Sequence, residues 1–516
     1  MDAIELSIFS SRIESVCDEM GAVLQRAAFS PNIKDRLDFS CAVFDVRGQL
    51  CAQAAHIPVH LGSMAYAMQD IVGLFNWHPG DMVAFNDPYL GGTHLPDVTL
   101  VSPVHVESEL IGFVANRAHH ADIGSDTPGS MPLATSLEEE GLVISPVKVM
   151  RGGEKSLEFK EIMQALGHTI ESMGDFNAQI SANDRGGNRL LSIVQQMDAE
   201  RYKKALVHLN IYGDRLMQQL LASIPSGEYR FEDVMDGDGL GAKDIKIKLR
   251  LSVGNGEVVA DFTGTAEQVR GNINCPLSVI AAAVCYVFRC LMPANTPACF
   301  GVYQRISIRA PKGSLVNAIK PAAVAAGNVE TSTRLVDVTM GALAKALPRR
   351  IAAASHGSMN NVAIGAKTKS NSWNYYETIG GGMGAGEQYH GLSAVQTHMT
   401  NTLNTPIESL EMHYPLRVNR YQIRQNSGGL GKHRGGNGLV REMVFLQSAQ
   451  LTLLTERRHH KPWGLQGGDD GKSGENLLNG ECLAAKVSVE VKVGDRLTIK
   501  TPGGGGYGKY VIKAKV

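Results

Sequence analysis

The stretch "VTLVSPVHVESELIGFVANRAHH", residues 98–120, reads as two β-strands. Each half is a short run rich in Val, Ile and Phe, and the turn-like "ESE" separates them, as in a paired hairpin. Upstream, "GDMVAFNDPYLGG" (80–92) is a strand entering a turn-rich loop, and "FSCAVFDVRGQLCAQ" (39–53) is two more strands joined at Arg47-Gly48. Helices flank them. Ile4, Ile8, Ile13, Val16, Met20, Val23 and Leu24 follow a helical stripe through 3–28, and "LGSMAYAMQDIVGLF" (61–75) has the same character. The region is therefore expected to be α+β.

Downstream the character changes twice. From 176 to 224 the apolar steps of three and four indicate helices, as in "NRLLSIVQQM" and "YGDRLMQQLLASI", and "PSG" at 225–227 stops them. "YRFEDV", "IKIKLRLSV" and "EVVADFTGT" then alternate as strands, "SVIAAAVCYVFRCLM" is an apolar helix, and a mixed Gly- and Asn-rich stretch follows. Beyond about Glu408 the pattern is all-β with glycine-rich turns such as "NSGGLGKHRGGNG" and "TPGGGGYG". The expected architecture is multidomain α+β. It comprises an N-terminal region 1–227, a central mixed region 228–407 and a C-terminal β-rich region 408–516. The glycines of "IGGGMGAGEQ" permit close backbone approach to a partner or ligand. None of these runs has Walker spacing or a GxGxxG after a strand, so loop chemistry is the expectation.

Composition excludes several classes. Fifty Lys and Arg against 51 Asp and Glu leave a net charge of -1, no footprint for nucleic acid or an anionic membrane. The eight cysteines form no CxxC pair and several sit in apolar runs, as buried thiols of a reducing compartment do. The first twenty residues lack a basic segment followed by an apolar one, and no run reaches about 18 apolar residues. A cytoplasmic protein is expected.

Three of the 16 histidines fall in "GGTHLPDVTL" and "ANRAHHADIGS", at His94, His119 and His120, with Asp97 and Asp122 beside them. In an extended strand, residues three apart point to opposite faces. His94 and Asp97 could share an ion only if the chain turns between them, and Pro96 after Gly91-Gly92 favours a turn. His119 and His120 face opposite ways on a strand, and alternation alone does not choose between them. Two imidazoles with one or two carboxylates suit Zn²⁺, Mn²⁺ or Fe²⁺. The bland alternative is a group of solvated loop residues. His459-His460 reads as a basic surface turn.

"KDRLDFSCAVFD", "GDMVAFNDPYLGGTHLPDVTLVSPV", "GFVANRAHHADIG", "GNVETSTR", "HMTNTLNTPIESLE" and "RRHHKPWGLQGG" together resemble the hydantoinase B-type family, which includes the B-type chains of hydantoinases, 5-oxoprolinases and lactamases. The alpha-type subunits of acetone and acetophenone carboxylases belong to the same family. The resemblance spans nearly the whole chain. It implies a separate A-type ATPase subunit, in a hetero-oligomer such as A2B2, which binds ATP and Mg²⁺ and phosphorylates a cyclic amide. The B-type chain then completes ring opening at a divalent metal. It implies Asp38, His94, Asp97 and His119 as metal ligands; Asp38 enters only this way, and the tie between the twin histidines falls to His119. His120 and Asp122 remain as acid–base or supporting groups, Asp122 as an acceptor for a ligand imidazole. The alternatives are an alpha-type subunit of an ATP-dependent ketone carboxylase and a non-catalytic, metal-stabilised scaffold for the ATPase.

Overall fold

The structure is a computed structural model and describes residues 1–54, 57–367 and 372–510. Seven strands form its first sheet: β1 (Phe39–Phe44), β2 (Leu50–Ala54), β3 (Met82–Phe85), β4 (Asp97–Val106), β5 (Glu109–His119), β6 (Val147–Arg151) and β7 (Glu154–Lys155). Their order is β2-β1-β5-β4-β3-β6-β7, antiparallel throughout. The expected strands 98–106 and 110–120 are the paired β4 and β5 at its centre, β5 shifted by one residue to Glu109–His119. The β1–β2 turn carries Gly48 at φ +74°, a conformation glycine adopts without strain.

Both faces of this sheet are covered, and alternation sorts the side chains between them. Helix α1 (Ala3–Ala27) is fixed at its start by a capping box between Asp2 and Glu5, and it buries Phe9, Ile13, Val16, Cys17, Met20 and Leu24. A one-turn helix, α2 (Pro31–Lys34), leads into β1. Helix α3 (His60–Gly73) covers one face, where Met64, Ala67, Met68 and Ile71 meet Val101, Phe113 and Ala115. After α4 (Leu157–Ala165), the long α5 (Ile170–Met197) covers the other face. There Asn116, Gln179 and Asn183 interlock: Gln179 donates to the Val98 carbonyl at 2.9 Å and Asn183 to the Leu100 carbonyl at 3.1 Å.

Helix α6 (Ala199–Ala222) ends where "PSG" was expected to stop it. The second sheet follows, β11-β10-β9-β8, from β8 (Gly227–Gly237), β9 (Lys243–Gly254), β10 (Glu257–Asp261) and β11 (Ile306–Arg309). The apolar α7 (Leu277–Cys290) and α8 (Ser332–Ala346) are buried in the same large core that holds α1, α5 and α6. A five-residue π-helical turn, Gly327–Thr331, precedes α8.

The remaining strands are β12 (Asn361–Lys367), β13 (Ser372–Glu377), β14 (Leu416–Ile423), β15 (Leu439–Phe445), β16 (Ala449–Leu454), β17 (Glu475–Leu478), β18 (Glu481–Cys482), β19 (Lys486–Val491) and β20 (Arg496–Lys500). They make two sheets, β13-β12-β16-β19 and β14-β15-β20-β17-β18. The first of these joins strands from both sides of residue 407. Beyond Glu408 the expected all-β character holds except for a short helix, Ile407–His413. The fold is thus a mixed helix-and-strand, multi-sheet α+β architecture.

The glycine-rich runs pack on one another. Gly382 donates to the Pro502 carbonyl at 3.0 Å, Gly436 to Met383 at 2.8 Å and Gly504 to Gly436 at 2.9 Å. A Cβ on Gly382 would lie 2.0 Å from the Gly436 oxygen, and one on Gly504 would lie 2.1 Å from the Met383 oxygen. The close approach expected from these glycines is therefore to the chain's own backbone. All eight cysteines are unpaired, six of them buried. Among the described residues no helix is long and apolar enough to cross a membrane.

Candidate metal centre

Antiparallel pairing decides where the conspicuous side chains meet. In the order β1-β5-β4, the start of β1, the end of β5 and the start of β4 share one end of the sheet. Asp97 stands opposite His119. Phe39 pairs with Ala118, so Asp38, one residue earlier, falls beside His119, whose N–H donates to the Asp38 carbonyl at 3.0 Å. Opposed residues share a face. His94 arrives from a tight turn: Asp97 N–H donates to the His94 carbonyl at 3.1 Å and Val98 N–H to the Pro96 carbonyl at 3.0 Å. That turn lets residues three apart face one point.

His94, Asp97 and His119 each offer a ligand atom, and these atoms lie within 4.8 Å of one another. All three residues are buried. His94 Nε2 is 3.2 Å from Asp97 Oδ1 but out of hydrogen-bonding alignment, and His119 Nε2 has no hydrogen-bond partner. Asp38 is outside this three-residue group, yet it is buried and its carboxyl interacts electrostatically with Asp97, His60 and His94.

Several neighbours were not singled out in the sequence. His60 Nε2 is 3.3 Å from Asp97 Oδ2, and its Nδ1 is 3.0 Å from Ser40 Oγ. The Thr93 hydroxyl donates to the same Asp97 oxygen. His94 Nδ1 is 3.3 Å from the Ala325 carbonyl. The His119 ring stacks flat on Tyr376, with centroids 5.0 Å apart, and its Nδ1 is 3.1 Å from the Asn32 side-chain amide. Arg36 donates to Asn32 Oδ1 at 3.1 Å and lies over the Tyr376 ring. Thr93 and Arg36 fall inside conspicuous motifs. His60, Tyr376 and Ala325 carry no local signal, because only the fold brings them here.

Burial alone would push the Asp97 carboxyl up, but His94 and His60 outweigh it and hold Asp97 well below the carboxylate range. Burial, reinforced by the charge of His94, holds the His119 imidazole well below its ordinary value. Burial lowers His94 as well, but Asp97 and Asp38 overcome it and leave it raised. Burial raises Asp38, against the pull of Arg36. The donor set therefore suits a divalent cation: an ionised carboxylate, imidazoles, and two buried ring nitrogens without hydrogen-bond partners.

The structure does not bring His120 and Asp122 to this group. Residues 119 and 120 lie on opposite faces, and His120 points to the α5 side, where Nε2 is 2.9 Å from Gln179 Oε1 and the ring packs on Phe176. Asp122 holds a loop instead, accepting from Gly124 N–H at 2.7 Å and from Ser130 and Asn374. The acceptor role expected of Asp122 beside a ligand imidazole is not filled by it; Asn32 stands beside His119, and the Ala325 carbonyl beside His94. Of the other pair, His459 is exposed and His460 reaches Asp244 at 2.7 Å, as expected of a surface turn, whereas the preceding Arg457 is buried.

The same segments carry a family signature. The family model described as hydantoinase B/oxoprolinase matches residues 2–510. The chain belongs to that family. Among its relatives, 5-oxoprolinase 1 of Arabidopsis thaliana is 38% identical over 99% of this chain, which spans only 42% of that protein. A Pseudomonas sp. (strain NS671) protein, provisionally named as the B-type component of a D-/L-hydantoinase, is 33% identical over 98% of this chain and 90% of its own length. The ATP-dependent caprolactamase of Pseudomonas jessenii superposes with a TM-score of 0.92 at 26% identity, over 99% of this chain and 91% of that one. Acetone carboxylase shares the fold at a TM-score of 0.86 and 19% identity, over 98% of this chain and 76% of that one.

Proposed function

We propose that this chain is the metal-bearing B-type component of an ATP-dependent cyclic-amide hydrolase, completed by a separate A-type ATPase subunit. The observation that carries the reading is the buried convergence of His94, Asp97 and His119, with two ring nitrogens lacking hydrogen-bond partners, on a chain that superposes almost end to end on a caprolactamase. The family's amide-opening members give the reaction class, and the name of the Pseudomonas hydantoinase component supports a two-chain assembly. Because the chain spans 42% of 5-oxoprolinase 1, the remaining machinery of such an enzyme has room to reside elsewhere.

Asp38, His94, Asp97 and His119 would hold the ion, with Zn²⁺ or Mn²⁺ the best match to the donors. Bound there, a divalent ion supplies Lewis-acid charge that polarises an activated amide carbon–oxygen bond and eases deprotonation of water. The protein's own part is preparation. Thr93 and His60 fix Asp97. The contact of His94 Nδ1 with a carbonyl selects the Nδ1–H tautomer and leaves Nε2 as the lone pair facing the cluster. Tyr376 and Arg36 wall off the His119 ring. Such exclusion of water strengthens every electrostatic interaction inside.

The test has two arms. Metal analysis of the purified chain should find close to one divalent ion per chain; none after gentle purification would count heavily against the site. The chain should then release phosphate from ATP only together with its A-type partner and a cyclic amide, assayed across hydantoin, 5-oxoproline and caprolactam, with acetone plus bicarbonate for comparison. Robust ATP hydrolysis by the chain alone would overturn the two-chain reading, and bicarbonate-dependent consumption of acetone would replace hydrolysis with carboxylation.

A further inference from the structure

We propose that Glu140 is a positioning residue for the metal centre: its carboxyl clamps the Val324–Ala325 backbone so that the Ala325 carbonyl holds the His94 imidazole with Nε2 turned towards the other ligands. The inference rests on the reading of the cluster as a metal site and deepens it.

Glu140 ends the run Leu137–Glu140, in which Glu138 and Glu139 are exposed while Glu140 is fully buried. A buried carboxyl is costly unless something specific receives it, and among the described residues Glu140 has no ion-pair partner. Its Oε1 instead accepts two backbone N–H groups, from Val324 and Ala325, each at 2.8 Å, and Oε2 has no hydrogen-bond partner. The carbonyl of the same Ala325 then faces His94 Nδ1 at 3.3 Å. One carboxyl oxygen thus fixes the residue whose carbonyl meets the ligand histidine. The segment is held on its upstream flank, by the Tyr89 hydroxyl on the Ala322 carbonyl at 2.6 Å and by the Asn274 amide on the Ala323 carbonyl at 3.0 Å. Downstream, the Val324 carbonyl accepts from Gly327 N–H at 2.9 Å; Glu140 is the side chain that receives the N–H groups of Val324 and Ala325 themselves.

Acceptors for the second ring nitrogen of a ligand histidine fix its tautomer and orientation, and losing one typically weakens metal binding by about 10–100-fold. Here the acceptor is a main-chain carbonyl that cannot be mutated away, so its side-chain anchor is the accessible lever. Glutamine keeps an oxygen that can accept both N–H groups, whereas alanine removes the clamp.

The test measures Zn²⁺ affinity by chelator competition in the full-length wild type, Glu140→Ala, Glu140→Gln, Glu140→Asp and His94→Ala, with circular dichroism to confirm folding. Glu140→Ala should bind Zn²⁺ about 10–100-fold more weakly, while Glu140→Gln stays within a few-fold of wild type. If Glu140→Ala does not fold, Glu140→Asp, which shortens the reach by one methylene, should show the same loss. Nitrogen-15 spectra of histidine-labelled, zinc-free protein, recorded at a pH above the raised His94 value, give a second readout: His94 should be the Nδ1–H tautomer in the wild type and lose that bias in the clampless variant. A folded Glu140→Ala with wild-type affinity and tautomer overturns the assignment of Glu140 alone. So does a Glu140→Gln as weak as Glu140→Ala, because charge rather than the clamp would then matter. If wild type and His94→Ala bind Zn²⁺ equally poorly, the metal reading itself fails and this inference falls with it.

Discussion

Two groups of charged side chains lie deep in this protein, and they are built on opposite rules. One joins Arg334, Arg457 and Lys486 to Asp233, Asp337 and Glu456. Arg457 Nη2 reaches Asp233 Oδ2 at 2.7 Å and Asp337 Oδ2 at 2.5 Å. Arg334 reaches Glu456 at 3.2 Å, and Lys486 reaches the other Glu456 oxygen. Three cations face three anions. The other is the cluster at the end of the seven-stranded sheet, where Asp38 and Asp97 sit among imidazoles and two Nε2 atoms lack hydrogen-bond partners. The first set pairs its cations and anions directly; in the second, Arg36 faces Asp38 at 3.9 Å while two ring nitrogens lack hydrogen-bond partners, which under the proposed function is where an ion would sit. The first ties the second sheet to the β-rich part, since Asp233 is in β8, Asp337 in α8 and Lys486 in β19.

The comparison breaks first at the ion network. Replacing Arg457 with Met should leave Asp233 and Asp337 to share Arg334 alone, at 3.4 and 3.9 Å, costing about 3–5 kcal/mol and much soluble yield. A folded variant with an unchanged denaturation midpoint would remove the structural role given to that network. At the cluster the separating readout should be metal. His119→Ala should lose bound ion at least tenfold, and in chelator it should also lose about 1–3 kcal/mol of stability, because its ring leaves Tyr376 and Asn32. His120→Ala should keep the ion yet lose about 1–3 kcal/mol of stability, because Gln179 loses a buried partner and a void opens against Phe176. Metal analysis beside thermal melts would reveal the reverse order.

The last expected effect is a pH dependence outside the cluster. Glu330 sits in the π-helical turn, accepting from Met359 N–H at 2.9 Å and from Asn361 at 2.7 Å. Burial raises its carboxyl to about 8, with Lys486 opposing. Its folded pKa thus lies above the unfolded one, so the protonated form is favoured on folding. Its stabilisation is full below the unfolded pKa near 4.5 and is lost as pH rises through about 8. Glu330→Gln should therefore flatten part of the fall in melting temperature across that window. An unaltered slope would show that this carboxyl does not titrate there.

Much of the candidate site was legible locally. His94, Asp97 and the twin histidines stood out by crowding, and the pairing of β4 with β5 followed from two apolar runs around "ESE". Composition could not separate His119 from His120, because alternation puts them on opposite faces without saying which face holds the cluster. The covering helices decide that: α3 supplies His60 on one side, and α5 supplies Gln179 on the other. The polyglycine runs were equally visible but uninformative about their neighbours, since backbone-to-backbone packing leaves no side-chain pattern to read.

The order of residues alone determined the family, the alternating strands and striped helices, and the pool of groups able to bind a cation, because those depend on local periodicity and residue chemistry. Only the tertiary structure decided which members of that pool share a pocket, that Asp97 is held by His60 and Thr93, and that His94 leans on a carbonyl pinned by Glu140. Such contacts join segments far apart in the chain. They exist only once the sheet and its covering helices have closed around them.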